Sequence, residues 1–531
     1  MKINHRAVWH PLLLGVFPVL SLAAANVERV PLGSNMLRLV LWFALGAAVA
    51  FVVFSGVFRN TDRGALMASL SVILFSSFGP IRSVVSGLTG PKQSTTVAVV
   101  AEAFVWALVA WVLARTPRDL RRLTATVNAA ALFLVLLPLS RLGAHTVKGQ
   151  AYRPASAEPV VTAAANTAGS RPDIYYIIFD RYASTSTLRD YYQFDNSAFV
   201  AELTRMGFYV VEHAYANYLK TGQSLAASLN MTHLTHLGEA VGEDSGDWTP
   251  VFQMLQDHRV GKFLKEQGYT YIHVGAGFEA THFNPNADAN LTEGTDSATF
   301  FAQTLREQTM ASLFVGPFFN GGIREQHWAT TRYQLECVQR VVDDPRPTFT
   351  FAHILVPHSP YVFDRNGRLL PSSTVAARTE SENYLEQLRY ATNAAAKLVS
   401  DIIARSENPP IILLQSDEGP FPERYRVLQA AFDWRTATPD ELRQKLGILN
   451  AYYLPGGPRG LYPTITPVNS FRVVFNRFFG TKLPLLPDRS YAFQDESHLY
   501  RFRDVTDILR RADPPRPVRT QVALGSGNPG G

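Results

Sequence analysis

Only one cysteine, Cys337, occurs among the 531 residues. A single thiol closes no internal disulfide and rules out a cysteine-rich zinc site, so any folded domain must be held by its own core. Charge is sparse too, at 18% of residues, and no block of Lys and Arg interleaved with aromatics is present. The net charge of +6 therefore does not point to nucleic acid. Many of the basic residues flank apolar runs instead, where they act as a topology signal. Internal repeats are absent.

Long apolar runs dominate the chain up to residue 145. Crossing about 30 Å of hydrocarbon takes roughly 20 mostly apolar residues in a helix. Five stretches qualify: Val8–Ala25, Leu39–Phe58, Ala65–Ile81, Thr95–Ala114 and Thr126–Ser140. Pro80 is expected to kink or end the third. Lys2, Arg6, Arg59, Arg63, Arg115, Arg118, Arg121 and Arg122 fall on one side of these spans, and only Arg29, Arg38, Arg82 and Lys92 on the other. The positive-inside rule then places the N-terminus in the cytoplasm and, after an odd number of spans, everything beyond Ala144 outside it. The expected location is the cell membrane, with a multi-pass anchor and an extracytoplasmic C-terminal domain. Glu102 is the one charged residue inside a span, a candidate intramembrane polar contact.

The expected organisation is a transmembrane five-helix domain over 1–145, an Ala-, Pro-, Thr- and Ser-rich linker over 146–171, a globular domain over 172–512, and a disordered tail over 513–531. In the globular part, Asp173–Phe179, Phe208–Val211, Tyr269–Val274, Thr348–Val356 and Pro410–Gln415 read as strands. Thr187–Met206, Phe252–Gln267 and Ser381–Ala404 read as helices. Strands alternating with helices predict an α/β/α sandwich with a mostly parallel sheet. In such sheets chemistry gathers beyond the carboxyl ends of the strands.

The informative polar residues fall at those ends. Asp180 closes the first strand; Thr221 stands in Lys-Thr-Gly-Gln-Ser just before a helix. His358 lies in Val-Pro-His-Ser-Pro after the strand TFTFAHIL, and Asp417 and Glu418 follow IILLQS and precede Gly419-Pro420. Singly, each is an ordinary turn former, helix cap or loop residue. Their joint placement marks a site. Lys220 reads as a solvated neighbour of Thr221, and Ser224, at i+3, as the one nearby substitute nucleophile.

In order and spacing these residues resemble the alkaline phosphatase and sulfatase superfamily. The likeness covers roughly Pro172–Asp488 and is strongest to the membrane-anchored branch of lipoteichoic acid synthases and phosphoethanolamine transferases. The five-span anchor resembles the lipoteichoic acid synthase layout as well. The resemblance implies an alkaline phosphatase-like fold and a divalent metal held by Asp180, Thr221, Asp417 and Glu418. It also implies that Thr221 is the nucleophile and that His358 assists the substrate. Where the family usually has His, this chain has Glu418. An all-oxygen ligand set favours Mn²⁺ or Mg²⁺, with Ca²⁺ and Zn²⁺ left open.

The function implied is a membrane-anchored, metal-dependent phosphoryl-group transferase or hydrolase. Its partners would be membrane lipids and a lipid-linked or polymeric phosphate-containing substrate of the envelope, not nucleic acid. The alternative, argued from Glu418, is a catalytically impaired sulfatase-like binding or scaffold protein in surface-polymer assembly. Formylglycine chemistry is set aside, because Cys337 sits in Glu-Cys-Val-Gln-Arg and not in a Cys/Ser-x-Pro-x-Arg context.

Overall fold

The computed structural model describes residues 8–27, 36–151, 171–292, 302, 304–306, 308–314 and 322–511. Five apolar helices come first: α1 (His10–Asn26), α2 (Met36–Phe58), α3 (Thr61–Thr89), α4 (Pro91–Arg115) and α5 (Arg121–Ala151). The last four are long and apolar enough to cross a membrane. With 17 residues α1 spans about 26 Å, and it packs on α2, α3 and α5. The bundle's outer faces expose Trp42, Val52, Phe104 and Phe133. An apolar belt of that extent belongs in hydrocarbon rather than water.

Three expectations change here. Pro80 does not end α3, which continues to Thr89; in a membrane bundle, neighbouring helices and Ser side chains tolerate a helix-internal proline. α5 runs on to Ala151, into the expected linker, of which residues 152–170 lie outside the described residues, as does the tail over 513–531. Glu102 is buried in α4, yet its carboxylate has no hydrogen-bond partner among the described residues.

The globular part is built on a seven-stranded sheet: β1 (Ile174–Phe179), β2 (Tyr209–Val210), β3 (Thr270–Val274), β4 (Ala289–Leu291), β5 (Thr348–Ile354), β6 (Ile411–Gln415) and β7 (Asn450–Tyr453). Their spatial order is β2-β7-β6-β1-β5-β3-β4. The run from β6 to β4 is parallel, and β7 and β2 add antiparallel at one edge. β1 is central and buried on both faces. Ile174, Tyr176 and Ile178 enter one hydrophobic core, and Tyr175, Ile177 and Phe179 enter the other. The expected sandwich with a mostly parallel sheet is observed. β4 and β7 were not expected, because three or four residues with a polar member carry too little pattern.

Two expected helices are each broken in two. Thr187–Met206 is realised as Thr185–Tyr192 and Ser197–Arg205, separated at Gln193, whose φ is +52°. Phe252–Gln267 is realised as Thr249–Gln256 and Arg259–Glu266, with His258 capping the second by accepting from Gly261 N. Glu380–Arg405 forms as expected, started by a Thr379–Glu382 capping box. In register, Phe179 of β1 faces Ile354 of β5, and Ile178 faces Gln415 of β6. The carboxyl ends of the three central strands therefore share one edge, and the candidate residues gather there.

Candidate metal centre and active site

Asp180 leaves β1 with its N–H held by Ile354 O at 2.9 Å. Arg181 follows at φ +63°, a left-handed conformation that a side chain of this size adopts only under constraint. Its carbonyl accepts from Tyr384 OH at 2.9 Å. Asp417 and Glu418 leave β6 in the same direction. Gly419 comes next because a Cβ there would stand 2.3 Å from Gln444 O and 2.9 Å from Lys445 O. Its N–H donates to Lys445 O at 2.8 Å, which lays the segment around Lys445 beside Glu418.

Asp180, His353 and Asp417 present ligand atoms that all lie within 4.8 Å of one another, and all three residues are buried. His353 Nε2 stands 3.4 Å from Asp180 Oδ2. Asp180 Oδ1, His353 Nε2 and Asp417 Oδ2 have no hydrogen-bond partner among the described residues. Buried carboxylate oxygens left unpaired are costly unless a cation answers them. The residues present thus fit a divalent metal.

Thr221 opens the helix Thr221–Asn230; the cap position is Lys220, not Thr221 as its sequence context had suggested. It is half-buried, with its side chain near enough to Asp417 to act on that carboxyl. Ser224 is buried and donates to Tyr218 O at 3.0 Å, so it offers no free nucleophile. Lys220 is not solvated: its Nζ pairs with Glu496 at 2.7 Å and bonds Tyr425 OH.

Glu418 stands outside the group of three. Its Oε1 accepts from Arg181 Nε at 3.0 Å and lies 2.7 Å from Lys445 Nζ, while Oε2 has no partner. Lys445 is fully buried, its ammonium 4.4 Å from the centroid of the Phe421 ring. His358 is half-buried on the loop after β5, with Nδ1 donating to Ser359 O and its own carbonyl held by Gln387 Nε2 at 2.7 Å. His327, on the helix Ile323–Val341, lies near enough to His358 and Asp180 for their charges to bear on it.

The electrostatics follow from burial opposed by charge. Burial, then Asp180 and Glu418, pushes Asp417 up to about 7. Burial alone would raise Asp180, but His358, His353 and Arg181 hold it well below the usual carboxylate range. Glu418 is likewise lowered against burial, by Lys445 and Arg181. Burial brings Lys445 down to about 8 despite Glu418. His358 falls to about 4 through burial and the Arg181 charge, so its ring is neutral.

Sequence reasoning placed Asp180, Thr221, His358, Asp417 and Glu418 at one edge of the sheet, and the structure brings them there. It missed His353, Arg181 and Lys445. His353 had a readable signal: a histidine inside a fully buried strand must have a polar partner.

No protein-family model matches this sequence, and comparison with curated proteins returns no match. Among solved structures, the chain is similar to the C-terminal periplasmic domain of EcEptC from Escherichia coli in complex with Zn, at 14% identity over 61% of this chain and 87% of that one, with a TM-score of 0.41. It is similar to the lipoteichoic acid synthase LtaP from Listeria monocytogenes at 14% identity, over 66% of this chain and 79% of that one, TM-score 0.39. It is also similar to a protein in the alkaline phosphatase superfamily from Vibrio parahaemolyticus at 13% identity, over 64% and 77%, TM-score 0.38.

Proposed function

We propose that the chain is a membrane-anchored, metal-dependent transferase or hydrolase of the alkaline phosphatase and sulfatase type, which moves a phosphate-linked group by way of Thr221. The observation that carries this reading is the convergence of three unpartnered, buried ligand atoms, from Asp180, His353 and Asp417, beside the Thr221 hydroxyl. These three residues would hold the ion, with Thr221 and the open Oε2 of Glu418 as further donors. One imidazole nitrogen among oxygens moves the preference towards Mn²⁺ or Zn²⁺ and away from Mg²⁺ or Ca²⁺. When bound, such an ion lowers the pKa of a hydroxyl and offsets charge on phosphoryl oxygens.

The remaining work falls to the chain. Thr221 Oγ1, beside Asp417, supplies the nucleophile, and the N-terminal end of its helix favours the oxyanion. A bond forms from Oγ1 to phosphorus as the phosphorus–oxygen bond to the leaving group breaks, and the Thr221 hydroxyl proton passes to the departing oxygen. Water or a second alcohol then cleaves the phosphothreonine. His358 is neutral and spends Nδ1–H on Ser359 O, which leaves Nε2 to take the acceptor's proton.

The apolar helices make an envelope lipid or lipid-linked polymer the substrate class, with the N-terminus cytoplasmic and the globular domain outside. The test is metal content and turnover of bis(p-nitrophenyl) phosphate by the purified full chain in detergent. Parent protein is expected to carry a divalent metal and turn over; Thr221→Ala to keep the metal and lose turnover; His353→Ala to lose both. A parent that holds no metal and cleaves no phosphodiester would sink the reading.

A further inference from the structure

Arg181 has no assigned part in the chemistry above, yet it is the most constrained side chain at the site. Its Nε is held by Glu418 Oε1 at 3.0 Å, and its guanidinium carbon lies 3.3 Å from the centroid of the Phe421 ring. The left-handed φ of +63° turns it back towards Asp417, whose Oδ1 lies 3.4 Å from its backbone N. Thr221 lies beside the same carboxylate, so Arg181 and Thr221 are neighbours across Asp417. The side chain is fixed at two points, Glu418 and Phe421, without using its outer fork. The four N–H groups on Nη1 and Nη2 have no acceptor among the described residues, and neither atom is sealed from solvent.

The local charges point the same way. Glu418 carries one negative charge and is contacted by two cations, Lys445 and Arg181. Lys445 is fully buried and meets no incoming group. Arg181, like Thr221 and His358, is half-buried. Of the two cations, Arg181 is therefore the one whose guanidinium keeps an uncommitted edge, and it lies 4.0 Å from Asp180 as well as against Glu418. A planar fork of that kind matches a tetrahedral oxyanion through two parallel hydrogen bonds.

We infer that Arg181 binds the oxyanion of the transferred group, and that Glu418, with Lys445 behind it, is the anchor that aims Arg181. This rests on the phosphoryl-transfer reading of the site. It also gives Glu418 a function that an imidazole in its place would not supply, since a histidine cannot accept from Arg181 and neutralise buried Lys445 at once. The residue that argued for an impaired enzyme becomes part of substrate recognition.

The probe is inorganic phosphate, titrated calorimetrically into the detergent-purified full chain saturated with Mn²⁺, with Mn²⁺ affinity measured separately. Arg181→Gln is expected to weaken phosphate about 10- to 100-fold and leave Mn²⁺ affinity unchanged. Arg181→Lys, which keeps the charge and the backbone demands but loses the fork, is expected to fall between parent and Arg181→Gln. The Glu418→Gln/Lys445→Met double variant, which removes the anchor together with its fully buried counter-charge, should weaken phosphate about as far as Arg181→Gln. Parent-like phosphate affinity in Arg181→Gln, or in Arg181→Lys should Arg181→Gln fail to fold, overturns the inference while leaving the metal site standing. A parent that binds neither Mn²⁺ nor phosphate overturns the reading on which it rests.

Discussion

Thr281 Oγ1 lies 2.8 Å from His353 Nδ1, inside the core and on the far side of the ring from Asp180. The same hydroxyl reaches Phe278 O at 3.4 Å, a carbonyl that can only accept. Its proton therefore goes to Phe278, His353 Nδ1–H donates to Thr281, and the lone pair on Nε2 is turned towards Asp180 and Asp417. Metal-binding histidines use such a partner on the other ring nitrogen. Thr281→Val is expected to lower divalent-metal affinity about 10- to 100-fold with the fold intact by circular dichroism, and Thr281→Ser to restore it. Parent-like affinity in Thr281→Val would remove Thr281 from any part in positioning His353.

A polar chain continues behind Thr281. His258 accepts from Gly261 N at 2.9 Å through Nδ1, so its Nε2–H donates to Tyr271 OH at 3.0 Å. Burial takes this imidazole from the ordinary 6.5 down to about 3. The unfolded chain binds the proton below 6.5 while the folded chain refuses it until about 3. The contribution to stability is thus complete above 6.5 and is lost as pH falls through that window, at about 1.4 kcal/mol per pH unit. Thermal unfolding of the full chain should show a shallower acid dependence in His258→Asn, which keeps a capping side chain. An unchanged dependence would assign the acid sensitivity elsewhere.

Lys445 and Glu418 form a pair buried on both sides. Lys445→Met leaves the carboxylate with Arg181 alone and should cost about 3–5 kcal/mol of stability. Adding Glu418→Gln to Lys445→Met should recover most of that loss, read as a partial return of Tm. Full additivity of the two changes would show that the pair is not coupled.

What was legible in the sequence depended on whether the signal was local. Asp180, Asp417 and Glu418 each follow an apolar run, and parallel strands put their carboxyl ends on one edge, so strand reading alone co-located them. His353 was hidden inside the run Thr348–Ile354, where it was counted as strand interior. Lys445 comes from the helix Pro439–Leu446, beyond the helix Glu423–Leu428 and two 3-10 turns, and meets Glu418 only because Gly419 lets the two backbones touch. No local pattern encodes that approach. The broken helices failed for a related reason: apolar spacing persists across Gln193 and His258, and the break is set by backbone geometry rather than by hydropathy.

Topology is testable because the native thiol does not interfere. Cys337 is buried at 1% exposure, so a single introduced cysteine reports its own side of the membrane. Asp119 precedes α5 and Glu423 lies on the globular domain, both with exposed side chains. A membrane-impermeant maleimide is expected to label Glu423→Cys in intact cells and Asp119→Cys only after lysis. The reverse pattern would put the globular domain in the cytoplasm and remove the envelope as its source of substrate.

Thr221 separates an enzyme from a binding protein. It occupies the first helical position and not the cap, so Thr221→Ala forfeits no capping bond and should cost less than the roughly 1 kcal/mol of a lost cap. Folding and membrane insertion are therefore expected to survive while turnover disappears. Ser224 cannot take over, because its hydroxyl is buried and committed to Tyr218 O. Thr221→Ser, which keeps the oxygen and drops the methyl, should retain part of the rate. With a slow phosphodiester, mass spectrometry of the peptide Asn217–Leu225 should find phosphate on residue 221 in the parent and none in Thr221→Ala. Parent-like turnover in Thr221→Ala would exclude covalent catalysis through this residue, whatever metal the site holds.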